Sequence, residues 1–104
     1  MPRRFDIVEN PNTRQHGLYP LLLVLQHDRV TSVDSVIVAP LVPVDRGPER
    51  GRLHPIVEVD GQQYVVLIED LASMPRNRLT HVLGSAEAQH YEIIAALDML
   101  FTGI

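Results

Sequence analysis

The spacing of apolar residues along this chain changes once, from strand-like runs to the three- and four-residue spacing of a helix. Phe5-Asp6-Ile7-Val8 is short and alternating, and the Asn10-Pro11-Asn12-Thr13 cluster behind it is a turn. Leu18 to Gln26 is a nearly continuous apolar run broken by Pro20. Its length predicts a central strand, with Pro20 at the strand start or on an edge, because proline has no N–H to give a ladder. Val36-Ile37-Val38-Ala39 is a third strand, ended by Pro40. Pro43 to Arg52 holds two glycines, two prolines and three arginines without apolar periodicity, and reads as a loop. The clearest local signal follows. His54 to Val59 and Gln62 to Glu69 are β-prone runs joined by Asp60-Gly61, a pair that supplies the positive φ angles of a type I′ turn, so they form a hairpin. Asp70-Leu71-Ala72-Ser73-Met74-Pro75 then leaves the sheet.

Near the end the period becomes helical. Ser85 is placed to cap a helix, and Glu87 falls in the first turn, where its charge favours the dipole. Ile93, Ile94, Leu97, Leu100, Phe101 and Ile104 form one apolar stripe, which predicts an amphipathic helix over residues 86 to 101. Gly103 stands where helices commonly end. The succession of strands, hairpin and closing helix predicts an α+β domain, mostly β. Its form is a compact antiparallel sheet or barrel with one C-terminal helix packed on it. At 104 residues the chain has room for one domain, 1–104, with one core. A chain this short buries roughly 65% of its unfolded surface, so self-association is a natural source of further stability.

Composition narrows the function classes. There is no cysteine, which excludes a disulfide framework and thiol chemistry and fits a reducing compartment. The Met1-Pro2-Arg3-Arg4-Phe5 start lacks the apolar run of a secretory signal. No stretch approaches the roughly 20 apolar residues of a membrane span, so a soluble cytoplasmic protein is expected. The net charge of −4 argues against extensive contact with DNA phosphate as the main activity. All nine basic residues are arginine.

No catalytic constellation stands out. The five histidines, at 16, 27, 54, 81 and 90, show neither HxH nor HxxxH spacing, so a metal would need tertiary convergence, and none is expected. Glu69-Asp70 reads as a solvated strand end, since neighbours in a strand point to opposite faces. The serines lack a nucleophile-elbow context, and there is no phosphate-binding glycine motif, so no cofactor is expected. Arg46, Arg50 and Arg52 are available to an anion, although a solvated loop is the simpler reading. The apolar end, Leu100-Phe101-Thr102-Gly103-Ile104, is either core closure or a partner anchor, and the pattern alone favours core closure.

Several segments carry a family likeness in their order and spacing: Leu22 to Asp28, ending Gln26-His27-Asp28; Val38-Ala39-Pro40-Leu41; Arg52-Leu53-His54-Pro55-Ile56-Val57; Asp70-Leu71-Ala72-Ser73-Met74-Pro75; and Ala96 to Ile104. Together they make the chain resemble the CcdB toxins, the gyrase-poisoning partners of CcdA antitoxins, from about Phe5 to Ile104. The resemblance implies a homodimer of an SH3-like barrel with a small extra sheet and a C-terminal helix, the fold shared with MazF-type toxins. It implies a non-enzymatic toxin that wedges into the DNA gyrase A subunit and traps the cleaved-DNA complex. A CcdA-like antitoxin neutralises it, and the pair represses its own operon, so DNA is met only through the antitoxin.

Carried over by position, the gyrase-contacting residues fall on Phe101, Thr102, Gly103 and Ile104, with Asp98, Arg29 and Val30 as further contacts. Two positions depart from the pattern. The best-known member of the family has a tryptophan where this chain has Thr102, and an aliphatic residue is usual where it has Arg29. Loss of an aromatic anchor at an interface centre typically costs about 2–4 kcal/mol, or about 30- to 700-fold in affinity. The alternatives are a MazF-like endoribonuclease drawing on Arg46, Arg50 and Arg52, and a non-toxic homologue that binds antitoxin without poisoning gyrase.

Overall fold

The computed structural model describes residues 2–104. Seven strands, β1 (Asp6–Glu9), β2 (Leu21–Val24), β3 (Ser35–Pro43), β4 (Ile56–Val59), β5 (Gln62–Val66), β6 (Ala72–Pro75) and β7 (Val82–Ser85), precede one helix, α1 (His90–Thr102). Every pairing is antiparallel. The main path runs β4-β5-β3-β2-β1-β7, and β6 branches off on β3. The two ends of the path curl towards each other: a Cβ built on Gly84 of β7 would stand 3.8 Å from Val59 Cγ1 of β4. The result is a nearly closed barrel, the expected architecture.

The continuous apolar run of β2 has a direct cause. The strand lies between β1 and β3, and both of its faces are covered. Leu21, Leu23 and Leu25 join Ile7, Leu41, Val57 and Ile68 in the main core, against Ile93 and Ala96 of α1. Leu22 and Val24 face the other way, into a second cluster with Val8, Val36, Val38 and Leu79. Pro20 immediately precedes the strand, as its missing N–H requires. The hairpin also follows the sequence: Asp60 (φ 51°) and Gly61 (φ 80°) both take the left-handed conformation of a type I′ turn, between β4 and β5.

Four expectations need correction. Pro40 does not end the third strand but lies inside β3, opposite Leu22. On its far side β3 pairs with β6 as far as Val38 and with β5 from Leu41 onward. Pro40 falls in the gap between those partners, where no ladder needs its N–H, and its carbonyl accepts the Leu67 N–H at 3.0 Å. The 70–75 segment does not leave the sheet: Ala72–Pro75 is β6, held on β3 in the register Val36 to Met74. Glu69 and Asp70 lie beyond the hairpin, in a 3-10 turn. The helix begins later than expected: Ser85 Oγ accepts the Glu87 N–H at 3.1 Å and starts a 3-10 turn, Glu87–Gln89, and α1 follows from His90. The β7 strand, Val82–Ser85, has no counterpart in the apolar pattern.

Candidate partner-binding site at the helix end

The apolar stripe of α1 divides between two environments. Ile93 and Ala96 are fully buried, and Ile94, Leu97 and Leu100 pack against the main core. Phe101 keeps 69% of its surface exposed and Ile104 81%. Core closure therefore stops at Leu100, although Phe101 continues the same periodicity. The helix ends as expected at Gly103, whose φ of 77° is left-handed and whose N–H donates to Met99 O at 3.1 Å. Thr102 is exposed, and its hydroxyl donates to Asp98 O at 2.6 Å, so its polar group is spent on its own helix. Asp98 is exposed.

An open groove of about 420 Å3 runs beside this end, walled by Leu25, Gln26, Ile37, Leu71, Leu97 and Phe101. Its lining is almost wholly apolar. Gln26 links it to the loop between β2 and β3: its side-chain amide donates to Ser35 O (3.0 Å) and Val30 O (3.4 Å) and accepts the Ile37 N–H (3.2 Å). That loop carries Arg29 and Val30, both exposed. Phe101 thus lines the groove, and Val30 is tied through its carbonyl to Gln26 of the same lining, with Arg29 next to it in the loop. The carbonyl of Ile104 accepts a hydrogen bond from the Arg52 guanidinium. Arg52 lies in a second groove of about 590 Å3, with Arg50, Gln89, Glu92 and Ala95, on the other flank of α1.

Charge fastens the same loop to the N-terminus. Asp28 accepts the Arg4 backbone N–H at 2.8 Å and the Arg3 Nε–H at 3.3 Å. The Arg4 hydrogen bond, with smaller help from the Arg3 guanidinium and His27, holds the Asp28 carboxyl below the usual aspartate range.

One arrangement escaped the sequence reading. His54 Nε2 lies 2.9 Å from Glu69 Oε2 and 3.1 Å from Oε1. The hairpin register contains the signal, since Ile56 pairs with Val65 and continuing it past Pro55 sets His54 near Leu67. The bend at the 3-10 turn then returns Glu69 to the imidazole. The other histidines have neighbours of their own: His16 and His81 flank Glu9 at 3.3 and 3.6 Å, and His90 lies 2.9 Å from Glu87 O. Among the described residues, no group of three His, Asp or Glu side chains is disposed to hold a metal. The arginine loop is only partly free, because Arg46 donates to Gly17 O at 3.0 Å.

The chain matches the profile of the family described as CcdB protein over residues 4–103. It belongs to the CcdB family. Two solved structures share the fold. One, an endoribonuclease from Mycobacterial species, superposes with a TM-score of 0.71 at 16% identity, covering 94% of this chain and 88% of that one. The other, an endoribonuclease in complex with its cognate antitoxin from Mycobacterial species, gives 0.73 at 15% identity, covering 95% and 93%. At these identities the likeness is one of fold. A comparison with curated proteins finds no match. Family membership agrees with the features read above: the barrel with its branch strand β6, the closing helix, and the apolar helix end beside a groove.

Proposed function

We propose that this CcdB-family protein is the toxin of a toxin–antitoxin pair and that it binds the DNA gyrase A subunit through its helix end. The observation that carries the reading is the exposure of Phe101, 69% open at the rim of an apolar groove and left out of the core that Ile93, Ile94, Leu97 and Leu100 join. Large exposed aromatics at a pocket rim are the residues that anchor interfaces. The contact set is Phe101, Thr102, Gly103 and Ile104 with Asp98, Arg29 and Val30. Binding there traps cleaved DNA by shape, without a catalytic step. A CcdA-like antitoxin neutralises the toxin in the cytoplasm and is its only route to DNA. The protein acts as a homodimer. The test is purified protein with gyrase from its own host. Accumulation of cleaved DNA, lost on deletion of Gly103 and Ile104, supports the reading, and no cleavage refutes it.

A second reading rests on a different observation, the His54–Glu69 pair at 2.9 Å. A carboxylate that orients an imidazole is an acid–base arrangement. In this reading the pair takes a proton from an RNA 2′-hydroxyl as the 2′-oxygen bonds to the adjacent phosphorus, and returns it to the 5′-oxygen as the P–O5′ bond breaks, with Arg50 and Arg52 receiving the cyclic phosphate. The fold is that of the two mycobacterial endoribonucleases. RNA cleavage that survives deletion of Gly103 and Ile104 and disappears in Glu69→Gln would establish it.

A further inference from the structure

The loop from His27 to Asp34 has the composition of a mobile segment. Every one of its eight residues is exposed. Its ends are tied: Gln26 reaches Ser35 O, and Asp28 takes the Arg3 and Arg4 donors. Its middle is held from far along the chain by one side chain. Arg76 opens the 3-10 turn that follows β6, and its backbone N–H donates to Asp34 O at 2.8 Å. Its Nη2 donates to Val30 O at 3.0 Å and Val33 O at 3.2 Å. No ion pair among the described residues includes Arg76. Its charge is thus spent on loop carbonyls.

We infer that Arg76 is a positioning residue, which fixes the Arg29–Val30 loop in the shape that a protein partner meets. The inference rests on the proposed gyrase contact of that loop. The carbonyl of Val30 is the point of leverage, because it also receives the Gln26 amide. Two donors on one carbonyl fix the backbone of Val30, an exposed member of the proposed contact set. A planar guanidinium bridges two carbonyls; an ammonium, as a point donor, serves them less well. Without Arg76 the loop keeps its tied ends, loses the bond to Val33 O, and holds Val30 O by the longer Gln26 bond alone. The partner must then order it, and ordering at an interface is subtracted from affinity. The β3–β6 pairing is made by backbone from Ser35 to Val38 and is independent of the guanidinium.

The test uses the full chain with Arg76→Ala and Arg76→Lys. Amide hydrogen exchange across 28–34 is expected to speed up in Arg76→Ala, with the strand amides of β2 and β3 unchanged. Binding to the gyrase A subunit is expected to weaken about tenfold, equivalent to ~1.4 kcal/mol, with Arg76→Lys between it and the wild type. In a Val30→Ala background the same substitution should cost less than about twofold, because coupled residues are not additive. Unchanged exchange across 28–34 overturns the inference. So does an equal loss of affinity in both backgrounds, which would mean that Arg76 acts elsewhere. A wild-type protein that does not bind gyrase A removes the gyrase reading itself, an outcome distinct from failure of the exchange measurement.

Discussion

Replacing Phe101 with alanine separates partner binding from folding, and the structure sets the size of both effects. A phenylalanine side chain buries about 200 Å2 when fully covered. With 69% of the residue exposed, about 60 Å2 is already covered by the molecule and about 140 Å2 is left for a partner. At ~25 cal/mol per Å2 the covered part contributes at most ~1.5 kcal/mol to the fold and the open part up to ~3.5 kcal/mol to an interface. The second figure falls within the ~2–4 kcal/mol of a strong aromatic anchor and corresponds to about 300-fold in affinity. Binding to the gyrase A subunit, measured by calorimetry, should therefore weaken between about 30- and 700-fold. Chemical denaturation should register a loss no greater than ~1.5 kcal/mol. Ile93→Ala is the control from the same helix: Ile93 is fully buried, so its truncation should cost ~2–5 kcal/mol of stability. A Phe101→Ala protein that binds within about twofold of wild type would refute the anchor. One that loses as much stability as Ile93→Ala would return Phe101 to the core.

Three other substitutions probe the same region. Gly103→Ala introduces a Cβ that meets nothing within 4 Å, so its cost, ~1–2 kcal/mol in a denaturant titration, comes from the left-handed φ of 77° alone. Thr102→Trp gives up the hydroxyl bond to Asp98 O and supplies the aromatic found in the best-known family member; affinity for a gyrase A subunit with a tryptophan-accepting cleft should rise by about 30-fold or more in a competition assay. Asp28→Asn tests linkage: the folded carboxyl lies below its ordinary value of 3.8, so its stabilisation is present above about pH 4 and is lost as pH falls through the lower folded value. Wild type should be the more stable protein at pH 6, with the difference shrinking through acid melts below pH 4.

What could be read from the sequence was whatever short-range chemistry or uniform burial decides. Asp60-Gly61 specifies its turn by itself, and the hairpin follows. β2 reads as a central strand because both faces are buried, leaving no polar alternation. Pro40 misled because its tolerance depends on where β6 stops and β5 starts along β3, a fact about three strands at once. β6 and β7 are four-residue strands whose surfaces are mainly exposed, so backbone pairing rather than apolar pattern creates them. The helix stripe was found, but its division was not. Phe101 lies eight residues beyond Ile93, about 12 Å along the axis. The periodicity gives the direction in which a side chain points; the extent of the sheet decides whether anything meets it there. The family resemblance assigns Phe101 to a partner, which is the proposal tested above; the structure shows the ring exposed.

The two functional readings use different flanks of α1, and that makes them separable. Phe101 and Leu97 face the apolar groove, whose Gln26 is hydrogen-bonded to the Val30 carbonyl. Gln89, Glu92 and Ala95 face the groove of Arg50 and Arg52. The residues of the two grooves do not overlap, so variants in one should add to variants in the other rather than couple with them. If gyrase is the target, Phe101→Ala abolishes poisoning while Glu69→Gln leaves it intact, because wedging needs a surface and no proton transfer. If RNA is the target, the pattern reverses: Glu69→Gln removes the carboxylate that orients His54, and Phe101 becomes dispensable. Arg52 belongs to both readings, since it lines the second groove and binds the carbonyl of Ile104, a member of the proposed gyrase contact set. Arg52→Ala should therefore lower activity under either reading. It cannot serve as the discriminating variant, and the Phe101 and Glu69 pair must carry that comparison.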